Sequence, residues 1–178
     1  NVTFSNTGTL SITQGIFTAD VVTQYSGSTI TGGTWNVSGG ATLNFPTGSN
    51  ITTIGSGASL SLDGATSTFN RLASTASTIT TNQGSFILKN DHDVTTANAF
   101  SNSGTVTVQD STTKFAIGAT GNLAYTQTGS GSYTILAGGA IIDAGSFALN
   151  GGSLTGTGTI DSSLTTSGTT TIAPGASP

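Results

Sequence analysis

The chain has 178 residues, long enough to bury a sizeable core in one domain. Only 6% of them are charged, a far smaller share than the roughly one quarter usual in globular proteins. With three scattered cations (Arg71, Lys89, Lys114), seven Asp and a net charge of −4, the chain has no basic cluster for counterion-release binding, which argues against nucleic acid.

Glu and Met are absent, Lys and Arg are few, and Thr, Ser, Gly and Asn dominate, so strong helix formers are scarce and an all-β fold is expected. Abundant Gly and Ser could instead mark a disordered linker. The 34% hydrophobic content, arranged as alternating Leu, Ile, Val and Phe with only three Pro, argues for a packed core. No apolar run reaches membrane-spanning length, so no insertion by this segment is expected. The absence of Cys leaves the redox compartment open. A chain that starts at Asn1 and has no Met is expected to be a processed product or part of something longer.

In chain order, Val2, Phe4, Leu10, Ile12 and Ile16 predict two short strands joined by the turn Asn6-Thr7-Gly8. Val21-Val22, Ile30, Trp35-Asn36-Val37 and Leu43-Asn44-Phe45 follow, separated by Gly32-Gly33 and Gly39-Gly40 and ended by Pro46-Thr47-Gly48. Ile51, Ile54, Leu60-Ser61-Leu62, Phe69 and Leu72 keep the rhythm, with Gly55, Gly57 and Gly64 as punctuation.

The segment Ser101-Asn102-Ser103-Gly104-Thr105-Val106-Thr107-Val108 recurs in outline at Ser5 to Ile12, Thr81 to Leu88 and Thr166 to Ile172. It reads as a turn followed by a strand: Asn and Gly tolerate positive φ, and the alternation behind them puts apolar residues inward and Thr or Ser outward. The glycines that open the clearest strands, Gly40, Gly57, Gly84, Gly104, Gly121, Gly145 and Gly168, set a loose period of about 20 residues, in the range of solenoids. Such a unit buries its apolar face only by stacking on a copy. The expected fold is therefore a parallel β-helix of about eight or nine coils, one domain over 1–178, right-handed and some 40 Å long at the strand spacing, with eight Phe stacked inside. An antiparallel sandwich is the main alternative.

Leu149-Asn150-Gly151-Gly152-Ser153-Leu154-Thr155-Gly156-Thr157-Gly158-Thr159-Ile160, then Ser163-Leu164, Ser167-Gly168, Ile172 and the tail from Ala173 to Pro178, resembles repeats in the β-helical passengers of bacterial autotransporters and related haemagglutinin-type surface proteins. The upstream Asn-x-Gly units extend the resemblance over most of the chain. It implies an exported β-solenoid at the cell surface, either a stalk, an adhesin passenger or a filament subunit. No outer-membrane barrel segment accompanies it.

Lys89-Asn90-Asp91-His92-Asp93 is the one charge cluster. Asp91 and Asp93, with Asp110 about one period later, are weak candidates for a Ca²⁺ site or a general base. Their blander reading is a solvated corner in which Lys89 and Lys114 neutralise carboxylates of adjacent coils. EF-hand and RTX spacing is absent, so no metal or other cofactor is expected.

Asp143 and Asp161 could also stack and, with a groove, would suit a polysaccharide-degrading β-helix. Cations for an acidic sugar are too few, and no Gly-x-Ser-x-Gly elbow exists, so no catalytic activity is expected. Thr29/Thr31, Thr78/Thr80, Thr105/Thr107, Thr155/Thr157/Thr159 and Thr169/Thr171 raise an ice-binding array as a further alternative, against which their uneven spacing argues. Tyr25, Trp35, Tyr125 and Tyr133 are the possible sugar-stacking residues if they point outward.

The sequence thus points to an extracellular structural or adhesive rod, whose partners are a carbohydrate, a host or neighbour cell surface, or further copies of itself joined head to tail. For end-to-end assembly the candidates are Val2, Phe4, Leu10 and Ile12 at one end and Thr169, Thr171 and Ile172 at the other.

Overall fold

The computed structural model describes residues 3–175, and these contain strands, turns and no helix. They wind into a β-solenoid of stacked coils with three ladders of parallel strands. Positions 9, 34, 59, 85, 105, 133, 153 and 171 are successive rungs of the longest ladder, so the strands Thr9–Ile12, Ser85–Lys89, Thr105–Gln109, Tyr133–Ala137, Gly152–Gly156 and Thr170–Pro174 lie in register with the second halves of Thr29–Val37 and Thr53–Asp63. A second ladder runs through 29–30, 53–54, Thr81–Asn82, Phe100–Asn102, Ala124–Thr128, 146–150 and 163–166. The third is split, with Ile16–Thr18, Thr42–Asn44 and Thr68–Phe69 in one sheet and Val94–Thr96, Lys114–Ile117, 141–143 and 159–161 continuing the other half of the rod.

About six turns are complete, slightly fewer than the eight or nine expected, because most turns are longer than the period of about 20 residues read from the glycines. The seven steps of the longest ladder span about 34 Å at a strand spacing of 4.8 Å. Turn length is uneven, from 18 residues between rungs 153 and 171 to 28 between 105 and 133. Extra residues are absorbed at corners: Tyr25–Ser26 folds back antiparallel on 29–30, and after Phe69 the chain turns back so that Leu72 bridges Phe69 before Ser77 bridges Thr96 of the next coil.

Two corners have different chemistry. At the corner entering the longest ladder, Asn6, Asn82 and Asn102 point into the core. Each reaches a backbone carbonyl of the next turn: Asn6 Nδ2 donates to Thr34 O at 2.9 Å, Asn82 Nδ2 to Thr105 O at 2.9 Å, and Asn102 Nδ2 to Tyr133 O at 3.0 Å. Asn82 Nδ2 also donates to Asn102 Oδ1 at 2.9 Å, and Gln127 takes over above them, its Nε2 donating to Gly151 O and Ser153 O at 3.1 Å. These amides satisfy carbonyls that a tight corner leaves without ladder partners.

After Asn82 and Asn102, the glycine two residues on is required for another reason than the positive φ expected. A Cβ on Gly84 would stand 2.2 Å from Ala58 O, and one on Gly104 would stand 2.1 Å from Gly84 O. It is close approach to the coil beneath that demands glycine there. Gly8, in the first described turn, has open space around it.

Positive φ occurs at both corners of that ladder, at Gly33 (79°), Gly152 (75°) and Gly168 (69°) on entering it and repeatedly on leaving it. Gly39, Gly40 and Gly64 adopt it in the early coils, Asn90 (54°), Asp91 (65°) and Asp110 (77°) in the middle, and Gly138 and Gly139 later. Asn and Asp are the side chains best able to replace glycine in that conformation.

The interior is one continuous apolar column. Trp35, Leu60, Phe86 and Val106 follow one another in register, as do Val37, Leu62, Leu88, Val108 and Leu136. Phe100, Tyr125 and Phe147 stack across the second ladder, with ring centroids 5.5 and 4.4 Å apart. Six of the eight Phe are fully buried, and Phe4 and Phe17, in the first turn, are half buried.

Candidate functional site

The charge cluster lies on the corner leaving the longest ladder, where the carboxylates of Asp93 and, one coil on, Asp110 are engaged by the chain itself. Asp110 Oδ1 accepts from the Thr112 amide and hydroxyl at 3.1 and 2.7 Å and from the Thr113 amide and hydroxyl at 3.1 and 3.0 Å. Its other oxygen accepts from the Asn90 amide of the coil below. Partial burial pushes its pKa up, but bonds from the Thr112 hydroxyl, the Asn90 and Thr112 amides and the Thr113 hydroxyl prevail and hold it down at about 2.

Asp93 Oδ1 accepts from the Lys114 amide at 2.7 Å. Lys89 Nζ lies 3.2 Å from Asp63, its register partner one coil down, and Lys114 pairs with Asp143. Each of these cations thus meets a carboxylate of a neighbouring coil, Asp63 or Asp143, rather than Asp91, Asp93 or Asp110, to which the blander reading assigns them. Asp91 is exposed, and Thr113 Oγ1 accepts from its amide at 3.1 Å.

His92 is buried, and because Gly64 O, 2.9 Å from Nδ1, only accepts, the ring must carry its proton on Nδ1. Burial lowers its pKa, outweighing the Gly64 bond and the nearby Asp93 and Asp63 carboxylates, which raise it. Among the described residues no three His or Asp side chains converge on a point where a metal ion could sit. Asp143 and Asp161 do stack in register, with Lys114 beside Asp143.

The four aromatics separate. Trp35, 1% exposed, and Tyr125, fully buried, point inward, so the outward direction that sugar stacking needs fails for both. Trp35 donates to Gly32 O at 2.9 Å and Tyr125 OH meets Thr134 Oγ1 at 2.7 Å, so the polar atoms of both rings are satisfied internally. Tyr25 is half buried, its ring against Phe45 and its hydroxyl donating to Ser49 O. Tyr133 stands 45% exposed on the outer face of the longest ladder.

That outer face is the feature sequence spacing hid. Thr9, Thr34, Ser59, Ser85, Thr105, Tyr133, Ser153 and Thr171 form one outward row, and Ser11, Asn36, Ser61, Ile87, Thr107, Ile135, Thr155 and Ala173 a second. Thr105/Thr107, Thr155 and Thr171 share this face, whereas Thr29 lies on the second ladder, so the Thr-x-Thr pairs do not form a single array. A signal was present: outward residues stand one and three places after Gly8, Gly33, Gly84, Gly104 and Gly152. A shallow groove of about 430 Å³ runs across the face, lined by Ser11, Asn36, Ser61, Asp63, Lys89 and Gln109 among others.

The terminal rungs differ from the middle. Val2 lies outside the described residues. Phe4 and Leu10 are half buried, while Ile12 is buried. At the opposite end Ile172, 47% exposed, lies above Leu154, and Leu164, 41% exposed, above Phe147. A cleft of about 150 Å³ opens there between Leu136, Leu154, Ile160 and Ile172. Thr169 and Thr171 are exposed, Thr171 on the side of the rod rather than its end.

Fold and faces define the class as a parallel β-solenoid with a neutral, hydroxyl-rich exterior. Searches found no protein family, no curated protein and no solved structure matching the chain.

Proposed function

We propose that the chain is an extracellular structural and adhesive β-solenoid, serving as a stalk, passenger or filament unit and without catalytic activity. The observation that carries this reading is the apolar column that runs in register through Val37, Leu62, Leu88, Val108 and Leu136, wrapped by ladders whose outward residues are mostly Ser, Thr and Asn. Backbone ladders joined to a continuous core give axial stiffness, and an exterior with little charge is insensitive to salt. The acidic corner supports the same reading, since the Asp110 and Asp93 carboxylates bind backbone amides of the rod itself. Placement outside the cell is supported by the resemblance of residues 149–160 to surface-passenger repeats.

Growth along the axis fits the terminal rung, where Leu164 and Ile172 present apolar surface on Thr159–Thr166 and Thr170–Pro174, strands that among the described residues pair on one side only. A further turn of a longer chain or a second copy would extend the ladders by strand addition.

The test is electron microscopy of the purified chain with its mass in solution, alongside an assay for reducing ends released from a panel of polysaccharides. Fibres of stacked copies, or monodisperse rods, together with no release are expected. Release that Asp91→Asn or Asp110→Asn abolishes would overturn the reading in favour of a polysaccharide-degrading β-helix.

A further inference from the structure

The geometry points to a binding track for an extended neutral polysaccharide along the outer face of the longest ladder, from Ser11 to Tyr133. This rests on the proposed structural and adhesive role and gives the adhesive surface a ligand class and a place.

Four observations converge on that occupant. First, the groove follows the rod axis over five rungs, from Ser11 through Asn36, Ser61 and Ile87 to Thr107, and the next rung continues that row with Ile135, beside which Tyr133 stands in the neighbouring outward row. Six rungs cover about 24 Å at the strand spacing, room for several sugar residues of an extended chain.

Second, the polar groups along it supply both donors and acceptors: the Asn36 and Gln109 amides, the Ser11 and Thr107 hydroxyls, and the Asp63–Lys89 pair at 3.2 Å. The only hydrogen bond between neighbouring side chains of the second row is a long one, Asn36 Nδ2 to Ser11 Oγ at 3.4 Å, which leaves capacity for a ligand.

Third, the charges in the groove cancel, so a neutral polyol is matched and a polyanion is not. Fourth, Tyr133 is a large exposed aromatic flanked by Ile135 at the end of the track, and it provides an apolar platform for the C–H face of a pyranose ring. A regular ice-templating surface would instead need unbroken Thr rows, and Ile87, Lys89, Tyr133 and Ile135 interrupt these.

Affinity gel electrophoresis of the intact chain through hydroxyethyl cellulose, xylan or galactomannan, with polygalacturonate as the charged control, tests the assignment. Retardation by at least one neutral polymer and not by polygalacturonate is expected. Tyr133→Ala and Asn36→Ala should each weaken it roughly tenfold, while Tyr133→Phe and Thr126→Ala, the latter on a different face, should leave it unchanged. Circular dichroism of each variant distinguishes a lost contact from a lost fold.

No retardation by any of the neutral polymers, or retardation that survives both alanine variants, would overturn the track. If that happens while the rods or fibres persist, the structural reading stands and only the ligand fails. Thermal hysteresis without retardation would assign the face to ice and equally overturn the proposal.

Discussion

At the scale of single residues, the rod depends on positions where a turn touches the turn below it. Gly104 is one: a methyl there would drive into Gly84 O, and backbone cannot step aside within a stack. Gly104→Ala should therefore cost about 3 kcal/mol, read as a lowered urea midpoint with unchanged slope, whereas Gly8→Ala, with open space around it, should cost well under 1 kcal/mol.

Protonation acts at two other residues. His92 and Asp110 both have lowered folded-state pKa values, so each contributes stability that is whole above its ordinary value and lost as pH falls. The urea midpoint should hold steady above pH 7, decline below about 6.5 as unfolded His92 takes up a proton, and decline again from about 4 towards 2 as Asp110 follows. His92→Gln should remove the first step and Asp110→Asn the second. A first step that persists in His92→Gln would mean that burial of the imidazole is not its cause.

At the scale of strands, core and corner contribute unequally. Phe115 is fully buried and sits edge-on to Phe86 and Phe100, with centroids 5.7 and 5.0 Å away. Phe115→Ala should destabilise by about 3 to 5 kcal/mol, whereas Lys89→Met, which breaks a partly exposed ion pair, should cost less than about 1 kcal/mol. Thermal unfolding of the two variants in parallel decides between core-dominated and charge-dominated stability.

Strand positions were legible where alternation was clear, as in Leu60-Ser61-Leu62 and Val106-Thr107-Val108. Glycine misled elsewhere. Gly32-Gly33 and Gly55 to Gly57 read as breaks, yet Thr29–Val37 and Thr53–Asp63 run through them as bent strands serving two ladders, with a register shift between Ile30 and Gly32. Ile16 likewise opens a third strand instead of ending the second.

At the scale of the whole molecule, a solenoid is stabilised by contacts between neighbouring turns, so protection should follow position along the axis. Amide exchange should be slowest in Ser85–Lys89 and Thr105–Gln109, which are paired on both sides, and fastest in Thr159–Thr166 and Thr170–Pro174, where apolar residues are exposed and pairing, among the described residues, is on one side only. Uniform exchange along the chain would show a single cooperative unit instead. Adding a further turn, or stacking a second copy, should slow exchange at that end first.

The sequence by itself determined the class of fold. Scarce helix formers, alternating apolar residues and a Gly-punctuated period of about 20 residues leave a stack of parallel strands as the way to bury the apolar face. It also determined that Lys89 and Lys114 would meet carboxylates of other coils, because residues about one turn apart in sequence become neighbours. The tertiary structure decided which rungs align. Turns of 18 to 28 residues come into register only after corners absorb the difference, so neither the hydroxyl rows nor the place of Tyr133 among them follows from spacing. It likewise decided that Trp35 and Tyr125 face the core, since a strand's alternation gives two faces but only packing against the neighbouring turns fixes which one is inside.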